Sequence, residues 1–309
     1  MNFDQLEKSL RELPDAASPS AESLPFANLH NIMAELSQDR RSLNREEDQL
    51  EMSRFRSQLF PVVHESVFCK YVYDKPRGYA GDFITQEMIW LGRTRGGKHL
   101  LNGTTRTGEL VNAFTFDMAN CRANEERVHR LQTYITQSGP RIMSIGCGSC
   151  IELWGWRNGN DCPRQVMLVD QDDGALQRAQ EMIGRQDHLE VTFEQANVLK
   201  YILGKNHLQC GPRDLIYLFG LMDYFPLKSA KRLVQALWPC VAPGGLMVIT
   251  NAHPDNSTRM WMEYVGDWFL DYKTEEMMYD LADGLTGVAS TKLLKDEQGV
   301  YQYLEIREE

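Results

Sequence analysis

Arg141-Ile142-Met143-Ser144-Ile145-Gly146-Cys147-Gly148-Ser149-Cys150 is a short apolar run that breaks into a glycine turn, and its reading decides the fold. A chain leaving a strand through a sharp bend needs glycine, because a side chain obstructs both the bend and the close approach of a ligand. Gly146 and Gly148 meet that need. After Gly139-Pro140, short apolar runs alternate with helical stretches, which predicts β-α-β units and a parallel sheet. Strands are expected at 141–145, 165–169, 190–194, 214–219 and 246–251, with helices at 151–157, 174–184, 198–203 and 228–237. Two helical stretches follow at 257–269 and 273–281. Strand-like segments at 288–294 and 301–306, parted by the turn Asp296-Glu297-Gln298-Gly299, predict an antiparallel edge.

Upstream of this region the apolar residues recur at helical spacing among charges: Leu29, Ile32, Met33 and Leu36, then Leu43, Leu50, Met52 and Phe55. Helices are expected within 21–58, 62–73 and 111–137, with a loop over 92–108, rich in Gly, Arg and Thr. The expected division is a mainly helical segment at 1–138 and an α/β domain at 139–309.

Composition narrows the function. The 309 residues are 42% hydrophobic and 25% charged, values of an ordinary packed core. A net charge of −10 disfavours nucleic acid, whose readers need a basic face. No apolar run reaches the ~20 residues of a membrane span, and the first residues lack a signal-peptide pattern. The expectation is a cytoplasmic protein with no membrane partner, a small-molecule ligand, and room for a homo-oligomer. The seven cysteines are odd in number and scattered, so no disulfide framework is expected. Cys147 and Cys150 form a C-x-x-C that a redox pair or half a zinc site would also produce. No second pair completes a metal set, and no metal is expected.

The second strand ends in Leu168-Val169-Asp170, which places a carboxylate where it can accept from both hydroxyls of a ribose. The plainer alternative is that Asp170 caps the helix beginning near Asp173. Dinucleotide binders favour G-x-G-x-x-G, because a pyrophosphate rests on the helix N-terminus. Here Ile151 stands at the third glycine's place. A nucleoside ligand without phosphate fits better.

The string from Ile142 to Gly148 resembles the first motif of class I S-adenosylmethionine-dependent methyltransferases. The resemblance implies a Rossmann-like sheet, S-adenosyl-L-methionine as cofactor and S-adenosyl-L-homocysteine as product. Ser144, Gly146, Cys147 and Gly148 would line the cofactor's amino-acid part. Asp170 and Gln171 would hold the ribose, Asn197 and Val198 would flank the adenine, and Phe219 and Gly220 would end the fourth strand beside the site. Pro243-Gly244-Gly245 matches the turn before the fifth strand. Two departures stand out. Ser144 replaces the motif's usual acid, and Cys150 replaces its usual third glycine.

A narrower likeness covers most of the chain. Lys75-Pro76-Arg77-Gly78-Tyr79-Ala80-Gly81-Asp82-Phe83, Asp255-Asn256-Ser257-Thr258-Arg259, Met262-Glu263-Tyr264 and Asp267-Trp268 resemble a bacterial group labelled after 3-hydroxypalmitic acid methyl ester synthesis. That group is similar to methionine S-methyltransferases of dimethylsulfoniopropionate biosynthesis. A fatty acyl chain needs a long apolar groove, whereas a free amino acid needs paired opposite charges. The polar motifs favour S-methylation of methionine over carboxyl methylation of a hydroxy fatty acid. The acceptor-binding residues would be Arg77, Arg259, Tyr264, Asp267 and Trp268; those nearest the chemistry would be Tyr79, Asp82, Asp223 and Tyr224. The helical segment would then be a lid. Plainer readings compete: Arg259 and Glu263 are spaced as an i,i+4 pair, and Trp268 suits a core. An NAD(P)-dependent oxidoreductase and a non-catalytic binding protein remain rivals on this fold.

Overall fold

The computed structural model describes residues 1–16, 24–94, 105–156, 164–202 and 210–309. The chain divides into two compact units, Met1–Asn124 with Ser257–Phe269, and Glu125–Asn256 with Leu270–Glu309. This differs from the expected division after 138, because residues 125–137 pack on the sheet and 257–269 fold back among the N-terminal helices.

The first unit is helical. It contains α1 (Asp4–Ala16), α2 (Leu24–Arg40), α3 (Arg45–Val63), α4 (Val67–Asp74), α5 (Phe83–Thr94), α6 (Arg106–Asp117) and the start of α7 (Ala119–Gln137). Helix α1 was not anticipated, although Leu6, Leu10 and Leu13 form a buried stripe at helical spacing. A capping box starts α3: Asn44 accepts from the N–H groups of Glu46 and Glu47, while the Glu47 carboxylate accepts from the Asn44 N–H. The helix expected over 62–73 is split, since α3 continues through Pro61 to Val63 and Ser66 caps a new start. The helix expected over 111–137 is broken at Met118. The expected loop over 92–108 is shorter: α5 reaches Thr94 and α6 begins at Arg106, with 95–104 outside the described residues.

The second unit is built on a seven-stranded sheet of β1 (Arg141–Ile145), β2 (Arg164–Asp170), β3 (Leu189–Gln195), β4 (Arg213–Leu218), β5 (Val241–Ala252), β6 (Val288–Lys295) and β7 (Tyr301–Glu308). The order is β3-β2-β1-β4-β5-β7-β6. The first five strands run parallel, and β7 lies antiparallel between β5 and β6. This is the expected α/β Rossmann-like sheet with an antiparallel C-terminal edge. Its crossovers include α8 (Asp173–Ile183), α9 (Val198–Ile202) and α10 (Leu227–Leu237). Between β5 and β6 run α11 (Arg259–Gly266), which belongs to the first unit, and α12 (Glu275–Asp280).

The central strands are legible because both faces are covered: Ile142, Met143 and Ile145 are fully buried, as are Leu215, Ile216 and Leu218. One face packs Leu131 and Ile135 of α7 with Leu153, Leu176 and Ala179; the other packs Leu233, Val234 and Leu237 of α10. The helix expected over 151–157 is a single 3-10 turn, Ile151–Leu153. Trp154 is extended and Gly155 takes φ +62°, which ends the coil at once.

Cys210 and Cys240 form a disulfide, with Cα atoms 6.3 Å apart. The expectation was of no disulfide framework, and this single pair was not anticipated. The pairing of β4 with β5 brings the segment entering one strand beside the turn entering the other, which spacing along the chain could not reveal. No helix among the described residues is long and apolar enough to cross a membrane.

Candidate ligand site

The turn after β1 is pinned to the end of β2. Gly146 and Cys147 both donate their N–H groups to the Val169 carbonyl, at 2.8 and 3.1 Å. Gly146 and Gly148 take φ +69° and +56°, conformations that suit glycine. Gly148 then donates to Asp170 Oδ2 at 2.9 Å, and the Asp172 N–H donates to Oδ1 at 2.9 Å. The cap of α8 is Asp172, whose carboxylate accepts from the Gly174 N–H. The alternative reading of Asp170 as the cap is thereby removed. Burial pushes the Asp170 carboxyl above the ordinary carboxylate range, against the N–H groups of Asp172 and Gly148.

The other residues expected at the cofactor lie in this unit. Ser144 is buried on β1, opposite Tyr217 on β4. Gln171 is exposed beside Asp170. Asn197 accepts from the Leu199 N–H at 2.9 Å and so opens α9, while Val198 is buried in the core. Phe219 stands between the rings of Tyr217 and Tyr303, at 5.8 and 5.7 Å. Gly220, with φ +79°, donates to Thr250 Oγ1 at 3.0 Å. A Cβ on Gly220 would lie 3.2 Å from Arg127 Nη1, so glycine here admits the guanidinium.

Cys147 and Cys150 are free thiols, and burial drives both well above their ordinary range, which suppresses thiolate chemistry. Cys150 holds φ +53°, a left-handed conformation where the resembled motif has glycine. Its Sγ lies 3.3 Å from Glu152 Oε1.

The acceptor-side expectations fare differently. Asp223 is 3% exposed, and its Oδ1 accepts from Asn251 Nδ2 and from the Ala252 N–H at 2.7 Å. It is a strut between the turn after β4 and the end of β5. Tyr224 is exposed. In the helical unit, Asp82 is fully buried and accepts from the Thr85 N–H at 2.8 Å and the Tyr71 hydroxyl at 3.0 Å, which makes it the entry cap of α5. Tyr264 is fully buried and donates to Asp48. Arg259 donates to Glu263 at 2.8 Å, as the i,i+4 spacing allowed. Asp267 pairs with Arg56 at 2.8 Å and with Lys75. Apart from Tyr224, these five residues, Asp223, Asp82, Tyr264, Arg259 and Asp267, have polar atoms engaged by partners within the fold. Trp268 is 6% exposed and belongs to the core. Arg77 is exposed, with its guanidinium 4.8 Å from the Phe83 ring centroid, and Tyr79 is half-buried.

Four residues near the turn escaped the sequence reading. Tyr217 donates to Glu152 Oε1 at 2.7 Å. Arg127 and Arg130, three apart on α7, lie over the rings of Tyr301 and Tyr303 at 4.9 and 4.5 Å. The available signals were the i,i+3 arginines and the alternate tyrosines of β7.

No protein-family model and no curated protein matches this chain. Solved structures of similar fold exist. A possible exported protein from Bordetella parapertussis is 14% identical, with a TM-score of 0.63, 94% of this chain and 99% of that one covered. The N-methyltransferase NodS of Bradyrhizobium japonicum with S-adenosylhomocysteine is 15% identical over 62% of this chain and 89% of its own, with a TM-score of 0.44. Magnesium protoporphyrin IX methyltransferase of Synechocystis with bound S-adenosylmethionine is 12% identical over 72% and 97%, with a TM-score of 0.46. What the first of these shares with the chain is the fold.

Proposed function

We propose that the chain is an S-adenosylmethionine-dependent methyltransferase acting on a small polar acceptor, with methionine the first acceptor to test and a hydroxy fatty acid the alternative. The observation that carries the reading is the meeting of the Gly148 N–H with the Asp170 carboxylate at the C-terminal ends of β1 and β2. Each Asp170 oxygen accepts one N–H and keeps a further lone pair for a ribose hydroxyl. A Cβ on Gly146 would stand 3.3 Å from Leu221, so the turn keeps its surface to bare backbone. Ile151 at the third glycine's place supports a nucleoside without a phosphate.

S-adenosylmethionine supplies a methyl group already activated on a sulfonium. In this reading Gly146, Cys147 and Gly148 border its amino-acid end, Asp170 and Gln171 orient the ribose, Asn197 and Val198 border the adenine, and Phe219 with Gly220 borders the reacting centre. The protein's contribution is alignment and exclusion of water. A thioether or carboxylate acceptor has no proton to lose, which suits the engagement of Asp223 in the fold. Arg77, Tyr79 and Tyr224 are each carried forward as acceptor contacts to test by substitution.

The test incubates the protein with S-adenosylmethionine and methionine, and in parallel with a long-chain 3-hydroxy acid, and reads products by mass spectrometry. S-methylmethionine is the expected product. A methyl ester alone would move the acceptor to the fatty acid. Stabilisation by NADPH and none by S-adenosylhomocysteine would overturn the reading in favour of an oxidoreductase.

A further inference from the structure

The C-x-x-C of Cys147 and Cys150 falls inside the turn after β1, and the ligand reading makes no use of either thiol group. The Cys150 N–H donates to the Cys147 carbonyl at 3.0 Å, which closes residues 147–150 into a four-residue turn. Such a turn holds its first and last Cα atoms within about 7 Å, a separation that a disulfide can span. Both cysteines are free. Cys150 belongs to the apolar cluster that contains Ile142 and Leu168, and Cys147 packs against the same cluster, so the two thiols lie on one side of the sheet.

The two sulfurs differ in access. Cys147 is half-buried, and its thiol donates to the Gly148 carbonyl at 3.4 Å. Cys150 is 1% exposed, and its thiol donates to Glu152 Oε1 at 3.3 Å. A dithiol pair needs this arrangement: an outer thiol that meets the oxidant, an inner thiol that resolves the mixed disulfide, and a base for the inner proton. Burial keeps both thiols protonated at neutral pH, which makes attack by either slow. It does not oppose the disulfide, which carries no charge. Gly148 lies between the two cysteines, and its N–H is the one that meets Asp170. Drawing the sulfurs together therefore pulls on that contact.

We propose that Cys147 and Cys150 are a redox-active pair, and that their oxidation by a low-molecular-weight disulfide such as glutathione disulfide closes the ligand site. The effect on the ligand rests on the methyltransferase reading; the oxidation itself does not. Cys147 gives its proton to solvent, and its sulfur attacks one sulfur of the oxidant. The S–S bond of the oxidant breaks, and one glutathione thiolate leaves and takes up a proton. Cys150 then passes its proton to Glu152, and its sulfur attacks the Cys147 sulfur of the mixed disulfide. The second glutathione thiolate leaves and takes up the remaining proton. The oxidant gains two electrons and becomes two thiols, while the two cysteines lose two electrons and become one disulfide.

The test treats the full chain, its pair reduced, with glutathione disulfide, blocks the remaining thiols by alkylation and maps the peptides by mass spectrometry. The expected product is a Cys147–Cys150 bond, which the map separates from Cys210–Cys240. Cys150→Ser should stop at a glutathione adduct on Cys147, and Cys147→Ser should take up no adduct at Cys150. Calorimetry should show S-adenosylhomocysteine bound about 10- to 100-fold more weakly after oxidation, the range of a charge-assisted hydrogen bond, and recovery on reduction. Cys147→Ser should show one affinity before and after treatment. Wild type that forms no bond, or stops at the mixed disulfide, overturns the pair. A bond that forms without changing the affinity overturns the closure and leaves the methyltransferase reading standing. Reduced wild type that binds no S-adenosylhomocysteine removes that reading and the closure with it, and the peptide map still decides the oxidation.

Discussion

The N–H of Gly148 and the carboxylate of Asp170 meet at 2.9 Å across 22 residues of chain. The contact joins the tip of one strand to the tip of its neighbour, and it leaves the carboxylate facing the place where a ribose is proposed. Asp170→Ala should lower the affinity for S-adenosylhomocysteine by about 100-fold, two hydroxyl bonds to a charged acceptor being lost. Calorimetry checks this, and an unchanged affinity would remove Asp170 from the site.

The same carboxylate sets a pH dependence. Burial raises the Asp170 pKa, so the group takes up a proton at a higher pH in the folded chain than in the unfolded one. In the free protein this uptake favours the fold as pH falls through the raised value. Bound ligand reverses the sign, because two ribose hydroxyls need the ionised form as acceptor. The rise in Tm caused by S-adenosylhomocysteine should shrink as pH falls from 7 toward the carboxylate range, with a smaller slope in Asp170→Asn. Thermal melts with and without ligand across that range decide it.

The Cys210–Cys240 disulfide closes a segment of 30 residues that contains β4 and α10. Constraint of the unfolded chain over that length stabilises by about 3–4 kcal/mol. Denatured protein should present two fewer reactive thiols before reduction than after it. Chemical unfolding should then show the loss in Cys210→Ser/Cys240→Ser. A bond found formed in protein taken from cells would place the chain in oxidising surroundings, contrary to the cytoplasmic expectation.

Asp48 anchors the helical unit. It accepts from Arg40 at 2.7 and 2.8 Å and from the Tyr264 hydroxyl. Burial alone would raise its pKa, but the bonds from Arg40 and Tyr264 hold it below the usual value. Its contribution is therefore present above the unfolded pKa and lost as pH falls through the depressed one. Asp48→Asn should cost about 1–3 kcal/mol, and Arg259→Ala, whose arginine is 43% exposed, about 0.5 kcal/mol or less. Equal effects in denaturant titrations would contradict this ranking.

Tyr303 is fully buried and its hydroxyl has no hydrogen-bond partner among the described residues. Removing an unpaired buried hydroxyl relieves a desolvation cost while the ring keeps its contacts with Phe219 and Arg130. Tyr303→Phe should match or exceed wild type in Tm. A fall of several degrees would show that the hydroxyl is bonded in solution.

The sheet was legible in the sequence because its central strands are buried on both faces and read as nearly continuous apolar runs, with Ser144 the polar exception on β1. Ile142 to Ile145 and Leu215 to Leu218 carry that signal within themselves. Gly146, Gly148 and Asp170 were legible for a related reason: a strand end fixes where the next few atoms point. Asp267 was not, because its partners Arg56 and Lys75 lie about 200 residues away and their pairing depends on how helices stack. Arg127 over Tyr301 and Arg130 over Tyr303 needed the alignment of a 3.6-residue period on a helix with a two-residue period on a strand. Helix α1 carried a readable stripe at Leu6, Leu10 and Leu13.

The helical unit is assembled from two stretches of chain, Met1–Asn124 and Ser257–Phe269, with most of the sheet between them. Arg40 and Arg56 find Glu263 and Asp267 only on the second stretch. During synthesis at about 5–20 residues per second, the first helices leave the ribosome many seconds before α11 exists. Until then Arg56 lacks Asp267, Arg40 has Asp48 but not Glu263, and the apolar bed of Tyr264 is without its native cover. The nascent N-terminal portion is thus a client for chaperones, and truncation before Ser257 should leave it prone to aggregation rather than a smaller stable protein.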